Sequence, residues 1–310
     1  MKKTMLPVTA CAILMLMSCK HRELCYDHTH MLDVEMRYDW TLAPDAVPAS
    51  MVTMLFPVNG DDPNPRRHEI VDRNGAVLRI MAGQYMAVGF NGTTETLVES
   101  GNTYDSFLIT TPDDELLSPM SKAPTSAPRP GEAEDEPVRK APDVLWSGFN
   151  ESVSLVPLKA NQHIDIAMHE STITCTIELR NVDNTDAPIE ISGALSGVSG
   201  AFSPSAAKPT AECVTVPVPL KVTDPHTITG TITLFGHCPG EKNRHIFTIY
   251  TSNRYYYHFD VTDRMHSTDH PDDIRIVIDE ALRLPDPEGT GMSPTINGWS
   301  DEINIDLDMQ

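Results

Sequence analysis

The chain has 310 residues, with 44 Asp and Glu against 23 Lys and Arg and a formal charge of −21 at pH 7. So acidic a balance argues against nucleic acid, because phosphate binding relies on clustered Lys and Arg, and against electrostatic attachment to an anionic lipid surface. The length is sufficient for two domains with cores of their own.

Lys2 and Lys3 open the chain, an apolar run extends from Met5 to Met17, and the small residue Ser18 closes it. A charged start, a short apolar stretch and a small-residue end describe a secretory signal. The run is shorter than the ~20 residues a spanning helix needs, and Lys20, His21, Arg22 and Glu23 follow at once. Leu16, Met17, Ser18 and Cys19 resemble the lipobox of bacterial lipoproteins, in which the cysteine thiol is diacylated and the chain is cut before it. Residues 1–18 are therefore expected to be a lipoprotein signal peptide, with Cys19 as the lipidation site. The loss of Lys2 and Lys3 takes the mature charge to near −23.

Beyond this lead the signals are those of strands. Met31 to Trp40 alternates, with Leu32, Val34, Met36 and Tyr38 on one side and Asp33, Glu35, Arg37 and Asp39 on the other, the period of a half-buried strand. Short strands are predicted at Met51–Val58, at Ala76–Met81 after an Asn74-Gly75 turn, and at Gln84–Phe90 after Gly83. No stretch of the mature chain sustains a helical period, and the 25 prolines would interrupt one.

Between Pro112 and Pro142 the composition changes to seven prolines, many acidic groups and almost no large apolar residue after Met120. Such a segment buries too little apolar surface to offset its ordering entropy, so residues 112–142 are expected to form a flexible Pro-rich acidic linker or loop. It separates an N-terminal β-sandwich domain at 19–111 from a C-terminal one at 143–310. Strands resume at Ser152–Leu158, His163–His169, Ser171–Leu179, Cys213–Val218, Thr227–Phe235 and Ile246–Tyr250. A tight Ser252-Asn253 connection then leads to Tyr255–Val261. Ile274–Leu284 reads as a strand or a short helix, and Ile303, Ile305 and Leu307 mark a terminal strand. An all-β chain of antiparallel sandwiches is the expected architecture.

Cys11 falls in the signal and Cys19 is the lipid site, leaving Cys25, Cys175, Cys213 and Cys238. Four cysteines allow three connectivities and the spacing selects none. Cys175 alternates with Ile173, Ile177 and Leu179 and so faces the core, where a thiol behaves as a small hydrophobe. Free, buried thiols are favoured over bridges.

Several stretches resemble one family when taken in order: ELCYDHTH, RYDW, LFPVNG, GQYMAVGFN, GALSGVSG, YYYHFDVTDRM and the late NGW. They are similar to uncharacterised Bacteroidales lipoproteins grouped with fimbrillin-type proteins, especially the minor and anchor subunits of fimbriae. The resemblance implies two transthyretin-like β-sandwich domains, a lipid-attached N-terminus and a place at the outer membrane. In that group stalk-forming subunits lose their first strand to an Arg-directed protease. Here Arg37 lies inside the first alternating strand and not in a loop, which favours an anchor or stand-alone protein. The residues after Cys19 lack the acidic run associated with export to the cell surface.

Cys25, His28 and His30 form the one constellation with metal-ligand character, since histidines two apart share a side of a strand and zinc accepts imidazole and thiolate. A structural lead-in to the first strand is the favoured reading, and no metal is assigned. Gly193, Gly197 and Gly200 lack the spacing of a nucleophile elbow around Ser196 or Ser199 and the Lys-Ser/Thr pair of a P-loop, so a glycine loop is expected there. Asp260, Asp263, Asp269, Asp272 and Asp273 do not match an EF-hand and read as a solvated connection. Tyr255, Tyr256 and Tyr257 cannot all face one way, so one is expected to point outward. No acid/base pair or partnered nucleophile emerges, so no catalytic residue, cofactor or enzymatic activity is expected. The expected function is an outer-membrane lipoprotein of structural or adhesive type, a minor or anchor component of a fimbria that contacts other subunits by strand addition. The alternative is a stand-alone lipid-anchored module that binds glycan or protein.

Overall fold

The structure, a computed structural model, describes residues 30–59, 63–240, 243–267, 273–287, 299 and 303–305. The first half holds β1 (Met31–Asp39), β2 (Ser50–Pro57), β3 (Arg66–Ile70), β4 (Gly75–Met81), β5 (Gly83–Gly92), β6 (Val98–Ser100) and β7 (Leu108–Thr110). After the proline-rich segment come β8 (Trp146–Leu155), β9 (Gln162–Ala167), β10 (His169–Glu170), β11 (Ile173–Leu179), β12 (Val182–Asp183), β13 (Ile191–Ser199), β14 (Ala201–Ser203) and β15 (Lys208–Pro209). The remainder is β16 (Cys213–Asp224), β17 (Thr227–Leu234), β18 (Ile246–Thr251), β19 (Tyr256–Asp260), a five-residue helix α1 (Thr262–His266), β20 (Asp273–Ile278), β21 (Leu282–Arg283) and β22 (Ile303–Ile305). The expected all-β class is what the chain adopts.

β1 keeps the predicted alternation. Leu32, Val34, Met36 and Tyr38 are buried while the residues between them are exposed. It lies between antiparallel β4 and parallel β9, and this sheet covers a second one of order β10-β8-β5-β2-β3. Met36, Tyr38, Met51, Leu55, Ile164 and Ile166 share the core between the two. Arg37 points outward to Glu35 in a strand paired on both sides.

β2 reads as a continuous apolar run because both its faces are covered. Met51 and Leu55 enter the first core, whereas Val52, Met54 and Phe56 enter another on the far side of the sheet, with Phe90, Phe107, Phe202 and Phe235. Phe202 and Phe235 come from β14 and the end of β17, so this aromatic cluster joins the two halves of the chain. A four-stranded sheet of order β15-β14-β7-β6 makes the same junction through backbone pairing.

The second sandwich has strand order β20-β11-β17-β16-β13-β18-β19-β22. β16 belongs to both layers: Cys213 to Pro219 pair with β13, and Leu220 to Asp224 with β17. Pro217 and Pro219 have no amide proton to donate, and the strand changes partner just beyond them. Cys175, Ile177, Val216, Phe247, Phe259 and Ile276 fill the space between the layers.

The structure corrects the expected partition. β8 pairs with β5 and β9 with β1, so residues 146–167, expected in a 143–310 domain, complete the first sandwich. Core membership changes between Met168 and Cys175. Residues 112–142 are held in place as well. Their ends bridge at Asp113 and Arg139, Val138 lies parallel to Thr215 of β16, and Leu117 and Met120 are buried with Tyr250 and Tyr256. Arg129 donates to the carbonyl of Glu136 at 2.7 Å and to Thr215 Oγ1 at 2.8 Å. Hydrogen bonds of this kind do not show in composition, which is why the segment reads as a linker.

The Asn74-Gly75 turn sets the register of β1 against β4. Gly75 has φ +122°, and a Cβ there would lie 1.9 Å from the Met36 carbonyl oxygen. Gly75→Ala is expected to cost well over 1 kcal/mol, read as a lower denaturation midpoint with an unchanged slope.

Candidate functional site

Cys19, Cys25 and His28 lie outside the described residues. His30 stands at the entry to β1, where its carbonyl accepts the Ala82 amide at 2.6 Å, a lead-in to the strand. Among the described residues it belongs to no group of three or more possible metal ligands.

The glycine-rich stretch from Gly193 to Ser199 is part of a buried strand, β13, and not the expected loop, and Gly200 makes the bend that follows it. Gly193 is small because a Cβ would meet the Phe247 ring at 2.7 Å. Gly197 is a bulge with φ +75°, and the register against β16 shifts between Leu195 and Val198. Both serines of the stretch spend their hydroxyls on backbone. Ser196 Oγ accepts from the Ile246 amide at 3.1 Å, and Ser199 Oγ donates to the Ala201 carbonyl at 2.8 Å. Neither is arranged as a nucleophile.

The Gly197 bulge organises the most chemically distinctive place in the described structure. Its carbonyl accepts the Cys238 amide at 2.9 Å, and Val198 bridges His237, which fixes the turn after β17. Its α-carbon packs beside Arg244 and His245, where a Cβ would meet the His245 ring. His245, the residue before β18, donates its amide to Thr262 Oγ1 at 2.9 Å and accepts the Val261 amide at 2.9 Å. Those bonds place α1, and His266 at its end, against the same spot.

Three imidazoles meet there. One ring nitrogen from each of His237, His245 and His266 lies within 4.8 Å of the others. His245 Nε2 stands 3.0 Å from His266 Nε2, and His237 Nδ1 donates to the Cys238 carbonyl at 3.2 Å. That bond puts the His237 proton on Nδ1 and leaves Nε2 with a lone pair. His245 is fully buried, and its Nδ1 has no hydrogen-bond partner. Burial, then the neighbouring His266, pushes its pKa down to about 4, so the ring is neutral at pH 7. His237 and His266 line a pocket of about 340 Å³ whose other walls include Thr172, Phe202, Pro209 and Phe235. The three histidines are 8 and 21 positions apart, on a turn, a strand start and a helix, so no short motif announces them.

Cys213 and Cys238 form a disulfide with Cα atoms 5.3 Å apart, which corrects the expectation of free thiols. The start of β16 and the turn after β17 are neighbours only in the folded chain. Cys175 is free and buried as expected, and burial pushes its thiol up to about 12. Of the tyrosines, Tyr255 faces outward while Tyr256 and Tyr257 are buried. Asp260 is structural: it accepts from Thr262 Oγ1 at 2.6 Å and pairs with Arg244. Asp269 and Asp272 lie outside the described residues. No helix among the described residues is long and apolar enough to cross a membrane.

β22 runs parallel to β19 at the rim of the eight-stranded sheet, which places Ile303 to Ile305 of the predicted terminal strand. Leu307 lies outside the described residues.

No curated protein matches the chain. Among solved structures it is similar to a candidate adhesin from Bacteroides ovatus, at 15% identity and a TM-score of 0.64 over 87% of this chain and 98% of that one. It is also similar to a candidate polysaccharide-binding protein from Bacteroides thetaiotaomicron, at 11% identity and a TM-score of 0.51 over 81% and 93% of the two chains. The fimbrial anchor protein Mfa2 from Porphyromonas gingivalis matches at 16% identity and a TM-score of 0.49 over 80% and 90%. At such identities the likeness is one of fold. A family model described as a domain of unknown function, DUF5119, matches residues 18–219, about two thirds of the sequence, and the chain belongs to that family.

Proposed function

We propose that this chain is a lipid-anchored envelope protein of adhesive or fimbrial type, a minor or anchor component held at the outer membrane through Cys19. The observation that supports the reading best is the fold likeness to the Bacteroides ovatus candidate adhesin, which extends over 98% of that chain and both sandwiches of this one. The lipobox-like Leu16 to Cys19 supports the anchor, and the family match begins at residue 18, next to the proposed cleavage point.

An anchor differs from a stalk subunit in keeping its first strand. β1 sits between two partners and contributes Val34, Met36 and Tyr38 to the core, so its removal would open the sheet and expose that core. Assembly with other subunits then falls to sheet edges, and the terminal β22 offers one, because a rim strand is a ready template for another chain.

Mild shearing of cells followed by analysis of what co-isolates tests the assignment. Fimbrial subunits co-isolating with this chain, and lost on deletion of Glu302–Gln310, are the expected result. Full recovery of the chain with no co-isolating subunit counts against assembly and favours a stand-alone binding module. That second reading has its own support in the outward-facing Tyr255, a ring able to stack on a sugar. A glycan array separates the two.

A further inference from the structure

We propose that His237, His245 and His266 form a binding site for a divalent transition metal ion of the zinc type, with a coordination position left open to the adjoining pocket. The geometry of the donors is the first reason. Zinc takes imidazole nitrogens at ~2.0–2.1 Å in tetrahedral sites, which sets neighbouring donors about 3.3 Å apart. The three nitrogens here span 3.0 to 4.8 Å, so small rotations of the rings bring all three within bonding distance of one ion.

The second reason is how the donors are held. His237 donates a hydrogen bond from Nδ1 to the Cys238 carbonyl, the kind of outer-shell bond that orients a ligating imidazole and leaves Nε2 as its donor to an ion. The Cys213–Cys238 disulfide closes the turn that carries His237, and the bonds from His245 to Thr262 and Val261 hold α1 and with it His266. The oxidised Cys238 sulfur is withdrawn from ligation, leaving an all-nitrogen donor set. Imidazole sites of this kind favour zinc, copper and nickel over magnesium or calcium.

Hydrogen bonding alone leaves the cluster unsatisfied. The Nε2 atoms of His245 and His266 face each other at 3.0 Å, so in a neutral pair one must carry a proton that an ion between them would replace. A metal between the rings uses both Nε2 lone pairs at once.

Three protein ligands leave a tetrahedral ion one position short, the arrangement of an open site. His237 and His266 line the pocket, so the open position faces Thr172, Phe202 and Phe235. Water fills it, or a carboxylate or imidazole of whatever enters. His169 and Glu170 line the same pocket, so polar as well as aromatic groups face the open position, and the role assigned to the ion is binding.

The test uses the full chain, purified in detergent, stripped with chelator and titrated calorimetrically with Zn²⁺. One equivalent is expected to bind, with a rise in Tm. His266→Asn changes an exposed side chain on α1 and leaves the core intact; it is expected to weaken binding by more than about tenfold, the least that disturbing even an outer-shell partner costs. His28→Asn with His30→Asn is expected to leave binding unchanged. No zinc binding by the wild-type chain, wild-type binding by His266→Asn, or loss of binding only in the His28/His30 double variant overturns the assignment.

Discussion

Replacing Cys19 with alanine is expected to release the chain from the membrane pellet and to abolish incorporation of labelled palmitate. The size of the effect follows from the chemistry of the anchor. Each buried CH2 of an acyl chain contributes ~0.8 kcal/mol, yet one chain alone binds reversibly and weakly, and stable attachment takes two or more. Diacylation of the thiol and acylation of the new N-terminus provide that number, and all three depend on one sulfur. The charge of −21 repels an anionic lipid surface, and no helix among the described residues could span the bilayer. The substitution therefore behaves as a switch and not as a graded change, and fractionation of cells expressing the variant reads it directly. An unchanged pellet would remove the anchor from the proposed function while leaving the fold and the histidine site untouched.

Parts of this architecture are legible in the sequence because a strand with one wet face must alternate. Leu32, Val34, Met36 and Tyr38 could only be a core face, and the Asn74-Gly75 and Ser252-Asn253 connections could only be turns between paired strands. The same logic fails where burial is two-sided or where small residues do the packing. β13 contains three serines and two glycines among its buried positions, so its apolar signal is weak. The reason for its composition, the Phe247 ring against Gly193, lies on another strand. The proline-rich segment fails for the opposite reason. Its order comes from Arg129, from backbone pairing at Val138 and Arg139, and from two apolar residues, Leu117 and Met120, and an average over 31 positions conceals all of them.

The histidine site shows the limit more sharply. Metal motifs recognisable in sequence put their ligands on one element at fixed spacing. Here the donors ride on three elements brought together by a glycine bulge in a fourth, whereas Cys25, His28 and His30 lie within one short segment. The fold places the meeting point at the end of the second sandwich, beside the aromatic junction with the first. An ion or ligand held there would bear on how the two halves sit together. Phe202 and Phe235 line the pocket with one face and belong to the junction core with the other.

Removal of the Cys213–Cys238 bridge is the second large effect, and it acts on stability. The bond closes a loop of 25 positions. In the chain-entropy account, a closed loop of that length restricts the unfolded chain by about 3.5 kcal/mol at 25 °C. Cys213→Ala with Cys238→Ala is therefore expected to lower the unfolding free energy by about 3 kcal/mol, a large part of the 5–15 kcal/mol available to a domain. Chemical denaturation of the wild-type chain with and without reductant, beside the double variant, measures it. Reductant should move the wild type toward the variant and leave the variant where it is. The free thiol at Cys175 provides the internal control: it is buried and takes no part in the bridge, so Cys175→Ala should keep the wild-type response to reductant. Local order supplies a further readout. Cys238 follows His237, and the turn that carries both is otherwise held by the Val198 bridge and the Gly197 carbonyl. Amide exchange in residues 236–240 should accelerate in the double variant more than in β17 or β18, whose ladders remain intact. Uniform acceleration across the second sandwich would mean that the bridge stabilises the whole body and not the turn, and would place its contribution in the unfolded chain alone.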